Sequence, residues 1–369
     1  MSSASPLLGQ PAAVRAFTQA LHGHRLHHAW ILHGPEGVGK MLAARLLAGL
    51  VLDRDASPSH RQAFAPPTDS EDARLIRAGT HPDFIVIHKE LARHSANREL
   101  RERKQLNIPL DLLRETLIGG TDGEGRQHDA AAFRTATRGH GKVFVIDQAE
   151  LLEPEAQHAL LKTLEEPPPR TYLLLLTTRL DRLLPTIRSR CQQVAFGPLD
   201  AEAMLAWLQA HPLQARGEVA EWIGRFAEGS PGAALQADAH DLHAWWTAFR
   251  SGFQAMDAGT FPGGLAEAMQ ERAAAFAEGV VKANEFASKE AANRQGLWLV
   301  VRLCGLHLRE RLAQACLDND RSTIAVTLEA MEALERFQEN VRANVNAKLA
   351  VSELVAEWTQ AGRAEPVRS

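Results

Sequence analysis

The segment that most restricts the possible folds is Gly34–Lys40, which reads Gly-Pro-Glu-Gly-Val-Gly-Lys. It directly follows the short apolar run Ala29–His33 and precedes the helical pattern of Leu42–Leu52. A strand, a glycine-rich loop and a helix in this order form a phosphate-binding loop, because glycines let backbone N–H groups face a phosphate and the helix N-terminus adds positive potential. The sequence therefore predicts an α/β domain with a nucleotide site.

The residue after the lysine weakens the predicted chemistry. The loop residues expected to contact nucleotide are Gly34, Pro35, Gly37, Val38, Gly39, Lys40 and Met41. A phosphate loop of this kind ordinarily continues with Ser or Thr, whose hydroxyl ligates magnesium, and the thioether of Met41 cannot replace a hard oxygen ligand. We therefore expect that ATP can bind, that magnesium binding is weakened, and that the chain's own hydrolysis is weak or absent.

A second apolar run, Val143–Asp147, ends in an acid that could position magnesium next to the nucleotide. The next residue, which should activate the attacking water, is Gln148, and an amide cannot accept the proton. Glu150 is close in sequence, but a shift of two residues moves a side chain along the loop. Two interpretations of Asp147 stay open, a residual metal role and a structural carboxylate at a strand end.

Hydrophobic periodicity divides the chain into an α/β part and a helical part. Five short apolar runs bounded by turn residues predict a parallel five-stranded sheet in residues 1–198. These runs are Ala29–His33, Phe84–His88, Val143–Asp147, Tyr172–Thr177 and Gln193–Phe196. After Pro198 the apolar spacing is helical, and breaks at Gly229–Gly232 and Asp257–Gly264 predict boundaries of small domains near both segments.

Two glycine- and proline-rich segments and one basic segment lack a regular pattern. Asp53–Thr80 and Gly119–Gly125 are predicted to be exposed insertions on the α/β domain. In the segment 97–105 the interleaved glutamates favour an exposed, ion-paired helix over a phosphate-binding surface. Its basic residues are Arg98, Arg101, Arg103 and Lys104.

Composition excludes several classes of protein. The formal net charge of −4 provides no global basic field for nucleic acid, so any DNA contact has to be regional. Three widely spaced cysteines cannot build a disulfide framework or a CxxC-type zinc site. The N-terminus lacks the pattern of a signal peptide, and no window reaches the ~18 apolar residues of a membrane span, so we expect a cytoplasmic protein without membrane partners.

Several motifs resemble the AAA+ ATPase subunits of the bacterial clamp loader, which belongs to DNA polymerase III. The segments are Gly9-Gln10, His28-Ala29, Gly34–Lys40, His81–Asp83, Ile108–Leu113, Ala159–Pro168 and Leu184–Cys191, of which the last two are the most specific. The first of these two lies in a predicted helix, Pro154–Leu164, which should bury Ala156, Leu160, Leu161 and Leu164 and expose Gln157 and Lys162.

The resemblance implies roles for two further residues. Arg190, within Ser189-Arg190-Cys191, is similar to an arginine finger that acts on nucleotide bound by a neighbouring subunit; the alternative is an arginine that binds local carbonyls. Thr178 is similar to the family's sensor threonine, with Thr177 as a second candidate and a strand-capping hydroxyl as the alternative.

Some of the family's functional residues are missing. The segment Glu228–Ala234 resembles the family's lid but lacks the arginine that senses nucleotide, and Asp53–Thr80 lacks the four cysteines of a zinc module, so no structural zinc is expected. The resemblance implies a small helical lid domain over 199–240 and an all-α collar domain over 241–369. The segment Asn344–Leu349 resembles the last collar helix, although any helical bundle would fit it equally.

Retention of Arg190 together with the losses at Met41, at Gln148 and of the lid arginine predicts a subunit that no longer hydrolyses ATP well but completes a neighbour's site. The resemblance implies a hetero-oligomeric ring with motor and delta subunits, which loads the sliding clamp on primer–template DNA. Two alternatives stay open, namely an ATP-hydrolysing motor subunit and a non-replicative P-loop binding protein.

Overall fold

The computed structural model describes residues 6–23, 26–102, 106–284, 287–343 and 345–363. The chain forms two compact units. The first unit contains residues 1–212 and 227–233, and the second contains residues 213–226 and 234–369. The separate lid and collar domains at 199–240 and 241–369 stay a prediction.

The first unit contains the predicted five-stranded parallel sheet, in the order β2-β5-β6-β1-β7. A short antiparallel pair, β3 and β4, forms a second sheet. The strands are β1 Ala29–His33, β2 Phe84–Ile87, β3 Gly120–Thr121, β4 Gln127–His128, β5 Lys142–Ile146, β6 Thr171–Thr177 and β7 Gln192–Ala195. The predicted fold class is confirmed, because each sheet strand lies within one residue of its apolar run.

Both faces of the sheet are covered, which explains why its strands are continuous apolar runs. Trp30 and Leu32 pack into one buried cluster with Phe17 of the N-terminal helix, whereas Ile31 packs into a second cluster with Leu160. Successive residues of a strand point to opposite faces, so β1 contributes to both cores. This arrangement is that of a doubly wound α/β domain.

The helices alternate with the strands in the first unit and follow one another in the second. They are α1 Pro11–His22, α2 Lys40–Leu52, α3 Pro58–Ala63, α4 Glu71–Ala78, α5 Arg98–Glu102, α6 Leu110–Leu113, α7 Pro154–Glu165, α8 Pro185–Arg188, α9 Ala201–Ala210, α10 Glu218–Ala227, α11 Pro231–Ala239, α12 Leu242–Asp257, α13 Leu265–Ala283, α14 Lys289–Leu317, α15 Arg321–Arg342 and α16 Ala347–Arg363. Within the described residues, none of these helices is long and apolar enough to cross a membrane.

The prediction that Asp53–Thr80 is an exposed insertion is wrong. The segment contains α3 and α4, and its Phe64 is fully buried and stacked on Phe17 at 5.1 Å between ring centroids. The side chains of Ser57 and Ser70 accept hydrogen bonds at the starts of the two helices. The helices are too short for their apolar periodicity to stand out in the sequence.

In the glycine-rich segment, Gly123 and Gly125 are exposed, while Asp122 between the two short strands is buried. Its carboxylate accepts the backbone N–H groups of Glu124 and Arg126, which holds the turn together. The prediction of an exposed turn agrees with the structure at the glycines.

The predicted exposure of Gln157 is also wrong, whereas Lys162 is exposed as expected. Gln157 is buried, and its amide bonds three backbone groups that belong to Leu152, Arg182 and Leu184. A polar residue on a helix is conventionally assigned to the solvent side, and only the fold shows that unpaired backbone groups surround this position.

Candidate nucleotide-binding site

The loop between β1 and α2 has the backbone of a phosphate loop. Gly34, Gly37 and Gly39 have φ angles of 138°, 75° and 105°, which side-chain-bearing residues rarely adopt. A Cβ at Gly34 would lie 2.0 Å from the carbonyl oxygen of Phe196, so the loop also needs glycine there for space. The loop therefore lies directly against the chain that leaves β7.

Lys40 begins α2 and folds back over the loop. Its ammonium donates hydrogen bonds to the carbonyl oxygen of Gly34 at 2.7 Å and to that of Pro35. Burial lowers the pKa of Lys40, and the nearby carboxylates of Glu150, Glu36 and Asp147 act in the opposite direction. The cation that would contact a terminal phosphate is thus held at the loop and surrounded by acids.

Gln10 ties the far side of the loop to the sheet. Its amide nitrogen donates to the carbonyl oxygens of Val38 at 3.2 Å and Gly197 at 2.7 Å, and its amide oxygen accepts the N–H of Gly197. Gln10 is buried, so this contact fixes the loop position. The Gly9-Gln10 motif was the sequence signal for this role, but only the fold shows what Gln10 binds.

The segment Glu228–Ala234 packs on the same loop. The Ser230 hydroxyl donates to the carbonyl oxygen of Glu36 at 3.0 Å, and the Gly232 N–H donates to that of Gly37 at 2.9 Å. A Cβ at Gly232 would lie 2.6 Å from the Cα of Gly37. These contacts were not predicted, because they join positions almost two hundred residues apart, as the separation of 194 between Ser230 and Glu36 shows.

Two acids, Asp147 and Glu150, form one side of the site, and Thr178 contacts Glu150. Burial raises the pKa of Asp147, which follows β5. Glu150 Oε1 accepts hydrogen bonds from the hydroxyl and the N–H of Thr178 at 2.6 and 3.2 Å, while its Oε2 is buried without a hydrogen-bond partner in the described part of the chain. Gln148 has a positive φ of 54° and is exposed. Glu150 and Thr178 therefore form a pair that the sequence did not predict.

Thr177, the second candidate for the sensor, is buried at the end of β6. Its carbonyl oxygen accepts the N–H of Gly34, and its hydroxyl accepts the N–H of Arg179. Thr177 therefore pairs with backbone groups at the end of β6, whereas the Thr178 hydroxyl donates to Glu150.

The residues fit nucleotide phosphates better than they fit magnesium. The loop amides at the start of α2 and the Lys40 ammonium would hold the phosphates. Met41 is half-buried and packs against the hydrophobic cluster that contains Leu47, so no oxygen ligand is present at its position. The unpaired Glu150 Oε2 is the one buried carboxylate oxygen without a partner among the described acids around Lys40.

Arg190 lies just after α8, on a partly exposed surface. Its guanidinium forms an ion pair with Glu165 at 2.7 Å and donates to the carbonyl oxygen of Thr186 at 3.0 Å and to the hydroxyl of Ser189. Glu165 ends α7, so the two most specific motifs of the sequence meet at this pair. Arg190 satisfies a local carbonyl, as the alternative interpretation expects, and keeps 36% of its side chain exposed.

The basic segment forms the short helix α5 in its described part. Arg98 pairs with Glu102 at 2.7 Å, and Arg101 donates to the carbonyl oxygens of Ser95 and Ala96. This agrees with the interpretation as an ion-paired helix. Arg103 and Lys104 lie outside the described residues, as does Asn344 of the predicted last collar helix.

Among the described residues, no group of three or more His, Cys, Asp or Glu side chains could hold a metal ion. His60 shares a hydrogen bond with the Ser57 N–H in a helix cap, and His81 Nε2 lies 3.3 Å from Asp72. Both histidines of the Asp53–His81 region thus have structural partners. The lack of structural zinc stays a prediction.

Comparisons with known proteins place the chain in a group of replication proteins. The model of a family described as DNA polymerase III, delta subunit, matches residues 9–200. DNA polymerase III subunit delta' of Pseudomonas aeruginosa is 34% identical over 59% of this chain and 58% of the relative. The tau subunit of Escherichia coli is 29% identical over 87% of this chain and 46% of its own length. The chain thus matches about half the length of these relatives.

Among solved structures, a DNA polymerase III gamma subunit-related protein from Thermotoga maritima is 17% identical, with a TM-score of 0.46 over 95% of this chain and 100% of that one.

Proposed function

The chain belongs to the DNA polymerase III delta subunit family, within the bacterial clamp-loader group that includes delta-prime and gamma/tau subunits, and from this premise we propose that it is a delta-prime-type subunit. In this proposal it hydrolyses ATP weakly or not at all and supplies Arg190 to the nucleotide site of a neighbouring subunit. Its partners are the motor and delta subunits of a cytoplasmic ring that loads the sliding clamp on primer–template DNA.

The observation that carries this proposal is the position of Met41. In a hydrolysing phosphate loop a hydroxyl at this place ligates magnesium, and here the side chain packs against the hydrophobic core. Gln148 further weakens the expected hydrolysis, because its amide cannot act as a base. The residue is exposed and has a left-handed backbone conformation. A loop that retains Lys40 but lacks both groups favours nucleotide binding without efficient turnover.

Arg190 supports the role in trans. An arginine finger has to reach beyond its own domain. The Arg190 guanidinium is partly exposed, and its ion-pair partner Glu165 is exposed, so the pair is not locked in the interior. Guanidinium groups stabilise the charge that develops on a transferring phosphoryl group, and loss of such a finger lowers turnover by about 10³-fold or more.

The test is ATP turnover of the chain alone and of the ring reconstituted with motor and delta subunits, clamp and primed DNA. We expect no measurable turnover for the chain alone. In the ring, Arg190→Ala should lower turnover at the one site that Arg190 completes by about 10³-fold, and so remove that site's share of the total. Arg182→Ala is the matched control, because Arg182 is exposed nearby and, within the described part of the chain, only its backbone groups form hydrogen bonds. Equal turnover of rings that contain Arg190→Ala or Arg182→Ala would contradict the role of Arg190 as an arginine finger.

A second candidate, a motor subunit, is favoured by one observation. Glu150 accepts hydrogen bonds from Thr178, has a buried Oε2 without a hydrogen-bond partner in the described part of the chain, and opposes the lowering of the Lys40 pKa that burial causes. If the isolated chain hydrolyses ATP and both Lys40→Ala and Glu150→Gln abolish this activity, Glu150 replaces the missing base and the motor assignment holds. A non-replicative binding protein is disfavoured by the family match.

A further inference from the structure

An open pocket of about 620 Å³ lies beside α2, and its lining includes none of the residues assigned to nucleotide. Its walls are one face of α2, one face of α4 and the segment that connects α3 to α4. The lining is mostly apolar and includes Leu42, Leu46, Pro66, Pro67 and Ile76. A concave apolar surface of this size is large enough for several side chains of a ligand.

The pocket is preformed, because its walls are fixed by buried contacts. Pro66 packs so closely on α2 that a Cβ at Gly49 would lie 2.8 Å from it. The Ser70 hydroxyl caps α4 and also donates to the carboxylate of Asp53, which is buried at the end of α2. A ligand would therefore bind without ordering these elements first.

One large apolar side chain is left without cover. Leu42 is 43% exposed, although most residues of α2 are buried. An exposed leucine on a rigid helix at the edge of an apolar pocket is a suitable contact for an apolar side chain of a partner.

The rim of the pocket is cationic. Arg45 on α2 and Arg77 on α4 are both exposed and both line the pocket, and none of its lining residues is acidic. Within the part of the chain that the structure describes, neither guanidinium forms an ion pair. His60, the third ionisable lining residue, shares its ring nitrogen with the Ser57 cap.

We propose that this pocket docks a short acidic segment of a partner protein. A large apolar side chain of the segment enters between α2 and α4, and carboxylates on either side of it pair with Arg45 and Arg77. The positive charge of the rim favours a partner protein over residues 1–5 of this chain as the occupant. These residues precede the lining residue Pro6, read Met-Ser-Ser-Ala-Ser and have no acidic side chain. The proposal does not depend on nucleotide hydrolysis or on Arg190.

The experiment is a selection of 12-residue peptides from a random displayed library against the full chain, followed by fluorescence anisotropy with the enriched peptides. We expect enriched sequences to combine Asp or Glu with Leu, Ile or Phe. The double variant Arg45→Glu/Arg77→Glu should weaken their binding at least about tenfold, and added salt should weaken it as well. Leu42→Asp should weaken binding to a similar degree without loss of fold, since Leu42 is on the surface.

The charge-matched control is Arg54→Glu/Arg74→Glu, because these two arginines are exposed in the same region and do not line the pocket. Circular dichroism of each variant checks that it is folded. The proposal is overturned if no peptide is enriched, if the enriched peptides lack acids, or if both double variants bind equally. It is also overturned if the chain forms a dimer in solution and Leu42→Asp dissociates that dimer, because the occupant would then be a second copy of the chain.

Discussion

At the residue scale, the site is defined by side chains whose neighbours differ from those that the motif alone suggests. Lys40 bonds carbonyl oxygens of its own loop, Glu150 and not Gln148 bonds Thr178, and Arg190 pairs with Glu165. Each of these contacts involves at least one residue that the sequence analysis considered for a functional role, but its partner could be identified only in the folded chain.

The pair of Arg190 and Glu165 leads to a prediction about turnover in the assembled ring. Glu165→Gln removes the charge that holds Arg190 on its own domain, so we expect turnover to rise. The rise should stay below about fivefold, because an exposed ion pair is worth only about 0.2–1 kcal/mol. The measurement is steady-state ATP hydrolysis by the reconstituted ring, with Glu166→Gln as the neighbouring control. A loss comparable with that of Arg190→Ala would mean that Glu165 positions the finger.

Asp147 leads to a prediction about stability and pH. Burial raises its pKa in the folded state, so the folded protein prefers the protonated carboxyl. Stability from this group is therefore present at low pH and is lost as the pH rises from the unfolded value of about 3.9 through the raised folded value. Asp147→Asn should be more stable than the wild type at neutral pH and equally stable near pH 3. Urea unfolding across this range tests it, and a destabilised variant at neutral pH would contradict it.

At the element scale, buried polar side chains fix how helices meet their neighbours. Gln157 connects α7 with the backbone at three places, and Asp257 at the end of α12 connects two other helices of the second unit. In both cases a single side chain satisfies several buried or partly buried groups that would otherwise have no partner.

Gln157→Ala should destabilise the first unit by about 2–4 kcal/mol, because it leaves a buried backbone group of Leu152 and partly buried ones of Arg182 and Leu184 without their partner. Lys162→Ala, on the exposed side of the same helix, should change stability by less than about 0.5 kcal/mol. Denaturant midpoints of the two variants provide the comparison. Similar midpoints would show that water replaces the amide at little cost.

Asp257→Ala should destabilise the second unit by about 3 kcal/mol. The carboxylate lies 2.7 Å from His307 Nε2 and accepts hydrogen bonds from Arg311 at 2.6 Å and from the indole of Trp358 at 3.0 Å. The change would leave a partly buried arginine without its counter-charge. Glu335→Ala on the exposed side of α15 is the control, and equal thermal midpoints for both variants would refute the prediction.

At the scale of the whole molecule, the chain has two compact units, and each contains its own buried residues. Gln157 and Asp257 belong to different units and share no partner residue among the described contacts. Their effects on stability should therefore be independent.

The double variant Gln157→Ala/Asp257→Ala tests this independence. Its loss of stability should equal the sum of the two single losses within about 0.5 kcal/mol. In differential scanning calorimetry each single change should lower a different part of the transition, since a two-unit protein need not unfold in one step. A single cooperative transition that shifts equally for both variants would show that the units unfold as one body.

The sequence by itself determined the α/β class, the five strands of the sheet and the phosphate loop. These follow from local signals, because buried parallel strands have to be apolar throughout and a phosphate loop needs glycines at set positions. It also determined the two losses at Met41 and Gln148, since the absence of a chemical group is visible without a fold.

Tertiary structure alone decided which distant residues meet. It placed Ser230 and Gly232 on the loop, gave Glu150 its contact with Thr178, buried Gln157 and folded Asp53–Thr80 into the wall of a pocket. The physical reason is that local patterns specify which face of an element is apolar, whereas the partner of a buried polar group depends on which chain segment packs against it.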